Sequence, residues 1–144
     1  MLDTNACLDL FVFADPRCAL LRGALERGSV VALTDADCRA EWLRVLRYPR
    51  LALDAAQQAD AVAAFDALVR DASASDCATS ANARLPRCAD ADDQKFLELA
   101  LRAGAGAVLT RDDALLALGR RLERAGLFAI LTPLAWCERH AEAH

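Results

Sequence analysis

Short apolar runs separated by segments of helical spacing are the strongest constraint on how this chain can fold. SVVAL (29–33), AVLT (107–110) and FAIL (128–131) are each four or five residues long. Runs this brief are strands rather than helices, and their unbroken apolarity suits strands covered on both faces. Strands alternating with helices make an α/β fold with a mostly parallel sheet. Two apolar stretches also break on an aspartate, MLDTN at Asp3 and AVLTRDD at Asp112. Aspartate is a poor strand residue and costs free energy when buried ionised and unpaired. Ligands of open parallel sheets bind beyond the carboxyl ends of the strands, which places both acids on one edge.

The intervening segments carry their own start and stop signals. PRCALLRGALERG sets Leu20, Leu21, Ala24 and Leu25 at helical spacing, with Gly28 just beyond. TDADCRAEWLRVLRYP begins on capping residues and ends before Pro49. DAAQQADAVAAFDALVRDA (54–72) predicts a longer helix whose apolar stripe is Val62, Phe65, Leu68 and Val69. DADDQKFLELALRAG is a helix with acids at its start, and DDALLALGRRLERAG is one more helical segment. TPLAWCERHAEAH closes the chain as a helix with Pro133 in its first turn. The polar stretch 73–87 reads as a loop with a brief strand at ARLP, not as a domain linker. MLDTN itself reads as the end of a very short strand and a turn, so Asp3 has no helix to cap. Residues 1–144 are expected to form one domain, large enough to bury a core without staples.

Composition removes several function classes. The apolar stretch LFAILTPLAWC has 11 residues, short of the roughly 18 that a membrane span needs. Asp3 and Asp9 stand near the start with no basic region before them, which argues against a secretory signal and for the cytoplasm. The six cysteines form no C-x-x-C pair, and His140 and His144 both lie in the tail, so structural zinc is not expected and the thiols read as reduced core residues. The net charge is −4, with sixteen arginines and a single lysine, Lys95. That balance disfavours holding nucleic acid by bulk electrostatics, but suits an enzyme that meets phosphates through a metal and a few arginines.

Four acids are candidates for such a centre: Asp3, Glu41, Asp93 and Asp112. Converging carboxylates repel one another unless a cation intervenes, and oxygen-only ligands select hard cations such as Mg²⁺ or Mn²⁺. Each acid has a plainer reading. Asp92, Asp93, Asp112 or Asp113 would serve as helix caps, and Glu41 as a solvated surface acid. Other chemistries fit worse. There is no G-x-S-x-G elbow, no glycine-rich loop leads to Lys95, and GAGAVL precedes a strand instead of following one. Dehalogenase-like phosphatases want a second aspartate where Asn5 stands, and response-regulator receivers want a lysine after a late strand.

LDTN, EWLRVLRYPRL, DADDQKFLELALRAGA and VLTRDDALL, in that order, resemble the PIN-domain ribonucleases, nearest to toxin components of toxin–antitoxin systems related to VapC-type toxins. The resemblance runs over nearly the whole length. It implies a Rossmann-like three-layer α/β/α sandwich and a Mg²⁺- or Mn²⁺-dependent endoribonuclease, restrained by an antitoxin protein. By position, Asp3 matches the first-strand aspartate, Glu41 the helix glutamate, Asp93 the aspartate eleven residues before the glycine of RAGA, and Asp112 the last aspartate. Asn5 and Thr110 match polar neighbours that orient the acids. There are two departures. Almost no strand precedes LDTN, so either the sheet tolerates a stub or the chain starts upstream; and Ala114 stands where relatives often carry another aspartate, which weakens a second metal site.

On this reading Asp3, Asp93 and Asp112 hold the metal, Glu41 completes a second site or orients water, and Arg44, Arg47, Arg50 and Arg111 grip flanking phosphates of RNA. A homodimer through the apolar face Leu20, Leu21 and Leu25 is weighed against a core role for the same residues. The rival readings are a PIN-like domain that binds RNA or protein without cutting, and a small Mg²⁺-dependent phosphatase.

Overall fold

The computed structural model describes residues 1–73 and 85–141. Four short strands, β1 (Ala32–Thr34), β2 (Val69–Asp71), β3 (Ala107–Leu109) and β4 (Ala129–Leu131), are interleaved with eight α-helices among these residues. The strands pair in parallel as two ladders, β1 with β2 and β3 with β4. Leu2 forms a parallel bridge with Leu109 on the free edge of β3. The α/β architecture with parallel strands is therefore as the apolar runs require.

Strand residues divide strictly between two cores. Leu2, Ala32 and Leu109 belong to one apolar cluster, with Leu131 packed against it. Their chain neighbours Met1, Val108 and Ile130 belong to the other, with Leu33 packed against it. Successive side chains of a strand point to opposite faces, so the sheet is the middle layer of a sandwich. The first face is covered mainly by α1 (Thr4–Phe11), α2 (Ala19–Glu26), α4 (Ala55–Leu68) and α8 (Pro133–Ala141). Trp42 stacks on Phe65 there at 5.5 Å between ring centroids. The second face is covered by α5 (Gln94–Ala103), α6 (Asp113–Leu116) and α7 (Gly119–Arg124). The remaining helix, α3 (Ala36–Val45), contributes Cys38 to one cluster and Trp42 and Val45 to the other.

Local chemistry sets the ends of these elements. Asp35 caps α3 through the Cys38 N–H, and Asp54 and Gln57 close a reciprocal capping box on α4. Gly104 ends α5 at φ 69°, a conformation that favours glycine. Three sequence expectations need correction. MLDTN is not followed by a turn: α1 begins at Thr4 and buries Ala6, Cys7, Leu8 and Leu10. The helix expected over 54–72 stops at Leu68, and Val69–Asp71 instead pairs with β1 as β2. The segment after Asp112 is two helices, α6 and α7, not one. The loop expected at 73–87, with its strand at ARLP, lies largely outside the described residues. Leu21 and Leu25 are buried within the chain, on a helix packed against α8, and the partly buried Leu20 packs against the same cluster, so these residues serve the core. Cys7, Cys18, Cys38, Cys88 and Cys137 are buried free thiols, as expected. No described helix is long and apolar enough to cross a membrane.

Candidate metal centre

Helix starts bring the acids together at the carboxyl edge of the sheet. Asp3 follows the Leu2 bridge and caps α1, its Oδ1 accepting the Ala6 N–H at 2.8 Å. Asp112 follows β3 and caps α6, its Oδ1 accepting the Ala114 N–H at 2.9 Å. Asp90 caps the single 3₁₀ turn Ala91–Asp93, accepting the Asp92 N–H at 3.0 Å, and Asp93 sits where that turn joins α5. Asp3 thus does have a helix to cap, contrary to the expectation from sequence. Capping is no alternative to a site here, because each cap bond holds one carboxylate oxygen and so aims the other.

These elements enclose a hollow of about 230 Å³ lined by Asp3, Asn5, Glu41, Asp90, Asp93 and Asp112, with Tyr48 and Arg50 also on its wall. Asp90, Asp93 and Asp112 each offer an oxygen, and these atoms lie within 4.8 Å of one another. Asp3 is buried beside them with its second oxygen taken by the Thr110 hydroxyl. Thr110 is fully buried and its Oγ1 also accepts the Asp112 N–H at 2.9 Å, so one hydroxyl ties Asp3 to Asp112. On the facing helix α3, Glu41 receives the Lys95 ammonium at 2.8 Å and the Thr4 hydroxyl.

The electrostatics are those of crowded acids. Burial, then the Asp112 carboxylate and the charges of Asp90 and Asp3, push the Asp93 carboxyl up to about 8. Asp112 is held below the usual carboxylate range by the hydrogen bond from Asp93 and by the Ala114 N–H. The two carboxyls therefore titrate as a pair and not as independent groups. Burial also raises Asp3 to about 6, against the opposing hydrogen bonds from Thr110 and Ala6. Asp93 Oδ2 is buried and meets no N–H or O–H donor. A carboxylate oxygen so placed is costly unless a proton or a cation answers it. The donor set is all oxygen, so a hard divalent cation fits.

The arginines divide. Arg50 lines the hollow and lies over the Tyr48 ring at 5.4 Å. Arg44 is exposed, 4.0 Å from Glu41. Arg111 turns to Asp9 at 2.8 Å, and Arg47 is exposed away from the hollow wall. Asp90, Thr4 and Lys95 were not singled out from sequence for this site. Asp90 stood within the DADD cluster, but its part depends on a turn that only the fold defines.

A family model described as PIN domain matches residues 1–114. The chain belongs to the PIN-domain family. PIN domains are generally nucleases that bind divalent metal ions, and the acidic cluster of this one is the matching feature. Neither a curated protein nor a solved structure matches the chain.

Proposed function

We propose that this PIN domain is a Mg²⁺- or Mn²⁺-dependent endoribonuclease, acting in the cytoplasm as the toxin of a type II toxin–antitoxin pair. The observation that supports it best is the gathering of Asp90, Asp93 and Asp112 oxygens within 4.8 Å of one another, with a buried Asp93 oxygen that has no donor. Asp90, Asp93 and Asp112 would hold the cation, and Asp3 and Glu41 face the same space. The ion supplies a positive charge for phosphate oxygens and acidifies nearby water. Glu41, fixed between Thr4 and Lys95, orients the attacking water and accepts its proton. Arg50 pairs with a flanking phosphate, and the Tyr48 ring beside it offers a face for a base. An antitoxin segment would silence the site by placing an arginine among the same carboxylates, where paired hydrogen bonds replace the ion's charge.

The test is cleavage of structured and unstructured RNA by the wild type and Asp112→Asn, with Mn²⁺ and with a chelator. We expect Mn²⁺-dependent cleavage by the wild type alone. RNA binding without cleavage would leave an inactive PIN-like binding domain, and hydrolysis of a small phosphate ester but not RNA would leave a phosphatase. For the toxin role, expression alone should arrest growth, and co-expression of the small gene beside it should restore growth. Harmless expression of an enzyme active in vitro would remove that role.

A further inference from the structure

The acids that line the hollow are not alike. Among the described residues, Glu41 is the one that pairs with side-chain cations, Lys95 at 2.8 Å and the exposed Arg44 at 4.0 Å. Its Oε1 accepts the Lys95 ammonium and its Oε2 accepts the Thr4 hydroxyl. Both oxygens of Glu41 are thus engaged from within the protein, whereas Asp93 Oδ2 meets no donor. The oxygens that gather within 4.8 Å of one another come from Asp90, Asp93 and Asp112, and none comes from Glu41.

Lys95 is held firmly in a place that does not favour a cation. It stands in the first turn of α5, where the helix dipole opposes positive charge. Its ammonium also donates to the Asp92 carbonyl at 3.0 Å and lies over the Phe96 ring, 5.2 Å from the centroid. The Lys95 side chain is 24% exposed and that of Glu41 15%, so the pair is largely withdrawn from solvent and less screened than a surface ion pair.

We propose that Lys95 is a positioning residue that serves Glu41 as a built-in second cation. The centre then takes one divalent ion, and Glu41 stays off it to hold the attacking water. This rests on the metal-dependent reading above. A second divalent ion on Glu41 would meet the like charge of the ammonium across a single carboxyl group. Without any cation there, the Glu41 carboxylate would add to the repulsion around Asp93 and Asp112. The ammonium answers that charge and, with Thr4, fixes the carboxyl plane. Each carboxylate oxygen keeps a second lone pair with which to accept from water.

The test counts the Mn²⁺ ions bound per chain, by calorimetry and by the spin-resonance signal of free Mn²⁺, with no RNA present. The wild type and Lys95→Arg should each bind one ion. Lys95→Met should bind two, and the double variant Lys95→Met with Glu41→Gln should return to one. Lys95→Gln removes the charge but keeps a donor, and it replaces Lys95→Met in the count if that variant does not fold. Two ions bound by the wild type would overturn the proposal. So would a single ion bound by the folded uncharged variant, or a second ion that survives Glu41→Gln. No Mn²⁺ bound by the wild type would overturn the metal centre itself, and this role of Lys95 with it.

Discussion

At the carboxyl end of the Met1–Asp3 stub the hollow is walled by aspartates and a glutamate, and at the stub's amino end a second cavity, of about 420 Å³, is lined mostly by leucine, valine and alanine, with Trp136, Arg139 and His140 among them. The two spaces are joined by three residues of one strand, yet opposite economies of hydrogen bonding govern them. In the acidic hollow Asp3, Asp90 and Asp112 each accept a backbone N–H at a helix or turn start, so helix capping positions the charges. In the second cavity the Met1 amine donates to the Ala107 carbonyl at 2.9 Å. One space is crowded with like charge and suits an ion; the other is mostly apolar.

The largest effect that separates them should come from Asp93→Asn. Cleavage of RNA should fall by more than about a hundredfold, beyond what loss of an outer partner to a metal costs. The metal-free midpoint should not fall, because the substitution removes repulsion around Asp112. A stable variant with full activity would show that Asp93 holds no catalytic ion.

The pH dependence of the metal-free protein should carry both spaces with opposite signs. Asp93 and Asp3 have raised folded values, about 8 and about 6, above the usual 3.8. The folded state then binds more protons than the unfolded one, so their stability contribution is complete below about pH 4. It is lost as pH rises, through about 6 for Asp3 and about 8 for Asp93. The Met1 amine is lowered from 8.0 to about 6 by burial, so between those values the unfolded state binds more protons and stability rises with pH. Urea unfolding across pH 4 to 9 should therefore show Asp93→Asn removing a falling contribution. Saturating Mg²⁺ should offset the fall in the wild type and have little effect on Asp93→Asn.

A smaller effect is expected at Gly106, on the wall of the second cavity. A Cβ built there meets nothing within 4 Å, and its φ is not one that disfavours side chains. Gly106→Ala should stabilise the chain by about 0.4–1 kcal/mol through the unfolded state. A loss of stability, measured by urea unfolding, would mean that a side chain at this position does meet its neighbours.

The fold class and most helix boundaries were legible because they rest on local chemistry: caps at Asp35, Asp54 and Asp112, a stop at Gly104, and apolar runs too short for helices. What was missed depends on distant partners. Val69–Asp71 follows α4 without a turn residue, and pairing with β1 decides that it is a strand. The segment after Asp3 is short and mixes Thr4, Asn5 and Asp9 with apolar residues, so its period was hard to read, and Asp3 seemed to lack a cap role that α1 supplies. Lys95 was set aside as a helix residue, although from that helix it reaches Glu41 across 54 positions of sequence. No local pattern announces such a pair.

The chain's sixteen arginines and single lysine leave it with two primary amines, Lys95 and the Met1 terminus. One is bonded to Glu41 on the wall of the acidic hollow and the other to Ala107 beside the second cavity. An acylating reagent thus has one target by each space, and digestion followed by mass measurement tells them apart. Whatever fills the hollow, whether cation, RNA or an inhibitor's arginine, alters labelling at Lys95, while the buried terminus serves as the reference within the same molecule.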